Sequence, residues 1–155
     1  MRIPSLVRSQ DAVSTVRRIL VATDRSSTAG HAVAFAAEMA ARYEADLILL
    51  QVVMPPAQPS TAMTEELARD AREMAGERGR ASVVVGEDPG KAIVDAAEEQ
   101  DADVVVVGNV GMSGRKEFLL GNVPNRVSHG SRRTVVIVNT AQRLEAKQGR
   151  RRLLR

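Results

Sequence analysis

The chain has no cysteine and no tryptophan, and its 155 residues include one tyrosine and two phenylalanines. Without cysteine there is no disulfide framework, no thiolate nucleophile and no cysteine zinc site. The scarcity of aromatics argues against base stacking, aromatic cages and sugar-stacking sites, and leaves Val, Ile, Leu, Ala and Met to build any core. The two histidines, His31 and His129, lie far apart and lack metal-ligand spacing. No apolar run approaches the roughly 18 residues that cross a bilayer, and no apolar stretch of signal-peptide type opens the chain. The expected address is the cytoplasm.

What is present suits a core: 44% of residues are apolar and 26% charged, a balance typical of folded rather than disordered chains. A formal net charge of +3 invites a nucleic-acid reading, so its distribution matters. Residues 1–18 carry about +3, residues 141–155 about +5, and the body between them about −5. The basic character belongs to the ends, a poor footprint for gripping a duplex. The expected organisation is an N-terminal segment (1–16), one domain (17–140) and a basic C-terminal tail or linker (141–155).

Within the body, short apolar runs alternate with helical patterns. Strands are expected at 18–23, 46–53, 82–85, 103–108 and 134–138. Helices are expected at 28–43, 63–78, 88–100 and 119–129, where apolar residues recur at helical spacing. Three prolines, Pro55, Pro56 and Pro59, make a loop after the second strand. Asp88-Pro89 opens a helix, a capping side chain followed by proline in the first turn. Strands that are apolar throughout, alternating with helices, imply a parallel sheet covered on both faces. The fold class is α/β, a doubly wound five-stranded parallel sheet. Ligands of such sheets sit beyond the carboxyl ends of the strands where strand order reverses. This directs attention to the ends of strands one, two and four, and away from strands three and five.

The most informative stretch runs from Gly108 to Val123. Two residues separate Gly108 from Gly111, and nine more precede Gly121-Asn122 at a helix start. Glycines let main-chain N–H groups approach an anion, and a helix N-terminus adds free donors and a positive dipole end. The stretch is a phosphate-cradle pattern. It is neither a Walker A loop, since GxxxxGK[ST] is missing, nor a dinucleotide GxGxxG.

Here the sequence resembles the universal stress protein family, whose nucleotide-binding members carry G-x2-G-x9-G-[ST] and a first strand ending in Asp. In this chain that strand ends Val21-Ala22-Thr23-Asp24, the glycines are Gly108, Gly111 and Gly121, and Asn122 occupies the Ser/Thr position. The resemblance covers about residues 17–140 and implies the strand order 3-2-1-4-5. It implies that Asp24, beside Thr23 and helped by Gly108, binds ribose hydroxyls, and that Val52 meets adenine with Ala22 lining the base pocket. Main chain at Gly111, Gly121, Asn122 and Val123 would hold the phosphates of ATP or AMP, any Mg²⁺ arriving with the nucleotide. These residue types suit the roles, since a carboxylate pairs with a diol and a Val wall with a flat apolar base face.

Two departures touch the phosphate end. Asn122 replaces the hydroxyl residue, and Pro124 removes a backbone donor from the first helical turn. Arg115 and Lys116 are placed to compensate. The structural readings stand beside the functional ones: Asp24 as a helix cap, the glycines as a tight turn, Ser26 to Thr28 as helix-entry residues, and both histidines without a catalytic role.

The expected function is a nucleotide-binding regulatory stress-response module that works through dimerisation and protein contacts, with nucleotide ordering the loop 108–118. Family members commonly dimerise through the last strand, and Thr134 to Val138 is apolar on both faces at a sheet edge. A homodimer and a regulatory protein partner are therefore expected, with no nucleic acid and no transmembrane segment. No catalytic or metal-ligating residue is assigned, so weak ATP hydrolysis is the upper limit of chemistry. The alternatives are a nucleotide-free dimerisation scaffold of the same fold and a slow ATPase.

Overall fold

The computed structural model describes residues 16–109 and 122–140. Five strands, Arg18–Ala22 (β1), Asp46–Val53 (β2), Gly79–Val85 (β3), Val104–Gly108 (β4) and Thr134–Val138 (β5), form one sheet in the order β3-β2-β1-β4-β5. Every neighbouring pair is parallel. The expected doubly wound sheet and its order are thus present. Between the strands lie Ser27–Tyr43 (α1), Thr61–Ala75 (α2), Pro89–Glu99 (α3) and Asn122–Gly130 (α4).

The three central strands are almost wholly apolar past their first residues, Gln51 of β2 excepted, because both of their faces are covered. Alternation sends Ile19, Val21, Leu47, Leu49, Val104 and Val106 into the core under α1 and α2. Leu20, Ile48, Leu50, Val105 and Val107 join the core shared with α3 and α4. Helix α1 reaches the sheet through Thr28, Ala32, Ala36 and Ala40, a four-residue spacing whose small side chains allow close approach. Leu67 and Ala71 anchor α2, and Ile93, Ala96 and Ala97 anchor α3. Three helices begin on side-chain caps: Ser26 accepts from Ala29 N–H, Ser60 from Met63 N–H, and Asp88 from Lys91 N–H. Each satisfies a donor that the first helical turn leaves open.

Several boundaries shift by one to three residues, and those between α2 and β3 have a clear physical cause. Helix α2 stops at Ala75 rather than running to Arg78, because Gly76 takes φ +58 and returns its N–H to Arg72 C=O. That left-handed turn suits glycine and ends helices. A single 3-10 turn, Gly76–Arg78, follows, and β3 then starts at Gly79, three residues earlier than the apolar run indicates. A Cβ on Gly79 would sit 2.0 Å from the Ala71 carbonyl oxygen, so glycine alone admits this close passage of strand against helix.

At the amino ends of the strands, polar contacts tie the connections together. Asp103 accepts from both Arg17 and Arg18 N–H at 2.7 and 2.9 Å. Arg133 reaches Glu98 and Asp101 at 3.1 and 3.2 Å, and the hydrogen bond it donates to Glu98 leads the effects that raise its pKa, against the opposing effect of burial. This leaves the carboxyl ends as the open side of the sheet.

Candidate functional site

One cavity opens at those carboxyl ends, with about 710 Å³ of space free of protein atoms, part of it open to solvent. Its position is the switch point of the sheet, where β1 leads one way to β2 and the other way to β4. Ala22, Thr23 and Asp24 border it where β1 ends, Leu50, Val52 and Met54 along and beyond β2, and Val107 and Gly108 at the end of β4. Helices close it, α1 with Ser26 and Ala29, α3 with Pro89 and Ile93, and α4 with Val123. Ala22, Val52 and Val123 also pack on the core beneath α3 and α4. The cavity is therefore that core continued to the surface.

Its lining is apolar except at one rim. Among the described residues Asp24 is the sole ionisable one lining it, and Thr23 and Ser26 supply the hydroxyl groups. Local hydrogen bonds hold this rim in place. Thr23 N–H donates to Leu50 C=O at 2.8 Å, extending the β1–β2 ladder one residue past β1. Arg25 N–H donates to Thr23 Oγ1 at 2.9 Å, and Ser26 N–H donates to Asp24 Oδ1 at 2.9 Å. Between them Arg25 adopts φ 65, while its guanidinium reaches Glu66 at 2.6 Å and Asp70 at 3.1 Å on α2. Asp24 does not cap α1; Ser26 does that.

On the opposite wall, Asp88 and Arg126 form an ion pair that joins the start of α3 to α4. Gly90 admits the contact: a Cβ there would lie 2.9 Å from Arg126 Cβ. The pair holds together the helices that carry Pro89 and Val123.

Of the candidate residues read from the sequence, the structure brings Ala22, Thr23, Asp24, Val52, Gly108 and Val123 around this one cavity. Gly111 and Gly121 lie outside the described residues, as do Arg115 and Lys116. Asn122 is the first residue of α4 and Pro124 the third, and Pro124 is buried. The sequence reading missed Leu50 and Val107, which share a sheet face with Val52 and Ala22 and could have been found by strand alternation. It also missed Pro89 and Ile93, because the segment after β3 had been set aside. No alternation rule reveals them; they arrive because α3 crosses the cavity mouth.

The architecture and cavity define a class, a doubly wound α/β protein with a small-molecule cavity at the switch point of its sheet. The model of the universal stress protein family matches residues 15–139, and this chain belongs to that family. Universal stress protein Rv1636 of Mycobacterium tuberculosis is 34% identical over 147 residues, spanning 83% of this chain and 99% of the relative. YxiE of Bacillus subtilis is 27% identical over 144 residues, spanning 78% and 97%. Among solved structures, a universal stress protein crystallised in complex with cAMP aligns with a TM-score of 0.64 at 36% identity, over 81% of this chain and 98% of that one. UspA from Lactobacillus plantarum, at 20% identity and a TM-score of 0.65 over 79% and 97%, shares the fold.

Proposed function

We propose that the cavity binds an adenine nucleotide and that the protein acts as a regulatory module through that binding. The observation that carries the reading is the division of the lining: apolar walls from Val52, Leu50 and Ile93, and a rim with one carboxylate, Asp24, beside two hydroxyls. A purine is flat and largely apolar on its faces, and a ribose offers a diol that a carboxylate accepts from. The relative crystallised with cAMP supports the ligand class.

In this reading Val52 and Ala22 face the base, Asp24 takes the ribose hydroxyls with Thr23 beside it, and Gly108 lies next to the sugar. The phosphates fall to main chain from Gly111, Gly121, Asn122 and Val123. Pro124, as the third residue of α4, costs one of the open donors of that turn, which favours one phosphate over three. In this reading any Mg²⁺ arrives with the nucleotide. No helix among the described residues is long and apolar enough to cross a membrane. The module works as a homodimer joined along β5, an edge strand whose Ile137 is 45% exposed, and reports nucleotide to a protein partner in the cytoplasm.

Calorimetric titration with cAMP, AMP and ATP tests the reading. Losing a charge-assisted hydrogen bond costs about 1.5–3 kcal/mol, so Asp24→Ala should weaken binding about 10- to 100-fold. Silence with all three nucleotides in the wild type would leave the scaffold reading in its place. Phosphate release from ATP that disappears with Asp24→Ala would instead identify a slow ATPase.

A further inference from the structure

Gly108 borders the cavity at the end of β4, and having no side chain it presents only backbone there. Its placement therefore depends on what holds the chain on either side. On the β4 side that is the parallel ladder, in which Gly108 stands opposite Val138 of β5. On the other side it is Asn109. The Asn109 N–H donates to Val138 C=O at 2.9 Å, and the side chain then continues the pairing. Asn109 Oδ1 accepts from Thr140 N–H at 2.9 Å and from Thr140 Oγ1 at 3.2 Å, while Nδ2 donates to Asn139 Oδ1 at 3.2 Å. The Thr140 N–H can only donate, which fixes the orientation of the amide. Thr140 itself is fully buried, so its polar groups require these partners.

We propose that Asn109 is a positioning residue that sets Gly108 against the ligand and, through the same hydrogen bonds, couples occupancy of the cavity to the end of the exposed edge strand β5. The inference rests on the nucleotide reading of the cavity and adds to it the route by which binding reaches the strand assigned to dimerisation. An amide serves both contacts, since one end donates and the other accepts. Aspartate keeps the acceptor for Thr140 and loses the donor toward Asn139, whereas alanine loses both.

The test combines cAMP titration with amide hydrogen exchange at Thr140 in wild type, Asn109→Asp, Asn109→Ala and Asp24→Ala. In the wild type, saturating cAMP should slow Thr140 exchange about tenfold, the size expected from about 1.4 kcal/mol of added protection. Asn109→Ala should weaken cAMP binding about fivefold or more and abolish the change at Thr140, with Asn109→Asp between the two. Asp24→Ala should weaken cAMP binding about 10- to 100-fold while Thr140 in the free protein exchanges as in the wild type. If Asn109→Ala does not fold, the aspartate variant carries the same comparison. Wild-type binding with Thr140 exchange unchanged, or Asn109→Ala binding and responding as the wild type does, overturns the coupling and leaves the nucleotide site standing. No binding by the wild type overturns both.

Discussion

Arg25 allows a test in which the order of two substitutions, rather than their size, decides. Its φ of 65 is a left-handed conformation that costs a residue with a Cβ roughly 1–2 kcal/mol. Thr23 Oγ1 holds its N–H, and Glu66 and Asp70 hold its guanidinium. Both ion pairs are partly exposed and each contributes about 0.2–1 kcal/mol. Arg25→Gly loses the pairs and about 0.5–1 kcal/mol to unfolded-chain entropy, but is freed of the left-handed cost. It should melt within a few degrees of the wild type. Arg25→Ala loses the pairs and keeps the cost, and should lie about 1 kcal/mol below glycine, or roughly 2–4 °C in Tm for a chain of this length. At an ordinary backbone position alanine is the more stable by a similar margin. Thermal melts of the three proteins at low and high salt suffice. Salt should narrow the gap between wild type and alanine and leave the gap between alanine and glycine unchanged. Alanine equal to or above glycine would refute the account of this loop, and with it the claim that backbone strain beside Asp24 is offset by α2.

Four further outcomes follow from the packing. Gly79→Ala, which brings a Cβ to 2.0 Å from the Ala71 carbonyl oxygen, should cost at least about 3 kcal/mol in urea unfolding. Gly30→Ala, with nothing within 4 Å of its Cβ, should gain about 0.5–1 kcal/mol, and a loss there would show that α1 is not the open helix described. Asp88→Ala removes the cap of α3 and the partner of Arg126 and should cost about 1–2 kcal/mol in the same assay; a neutral result would deny that pair a structural role. Ile137→Lys places a charge on the exposed edge of β5; if the chain pairs along that strand as proposed, sedimentation should show a wild-type dimer and a monomeric variant, and a variant as dimeric as the wild type would refute pairing through β5.

The sheet was legible in the sequence because each central strand is buried on both faces, so runs such as Ile19-Leu20-Val21 and Val104 to Val107 leave little else to be. The caps Ser26 and Asp88 stand directly before periodic apolar segments and mark helix starts. What escaped notice was set by tertiary contact. The first residues of β3, Gly79-Arg80-Ala81, have no apolar run to mark them; they are drawn into the ladder beside Leu47, Ile48 and Leu49. Nor does composition hint that Gly79 passes directly under the Ala71 carbonyl.

At the site the same distinction separates kinds of residue. Asp24 and Gly108 were conspicuous because a strand of a parallel sheet ends at each, and chemistry at strand ends is a topological expectation. Leu50, Val107 and Ile93 were read as core, and they are core: they pack among the residues between the sheet and α3. They border the cavity because that core remains open at the carboxyl edge, between α3 and α4. A ligand with an apolar face could therefore complete a packing layer rather than fill a separate pocket, gaining about 25 cal/mol for each Å² of apolar surface it covers. Under the proposed nucleotide reading the base is then the anchor and the rim the source of selectivity. Val52→Asp, which puts a charge into the apolar wall, should then abolish binding of every adenine nucleotide, while Asp24→Ala weakens binding without abolishing it. Titration of both variants separates these outcomes, and equal losses would mean that the wall and the rim do not divide the work in this way.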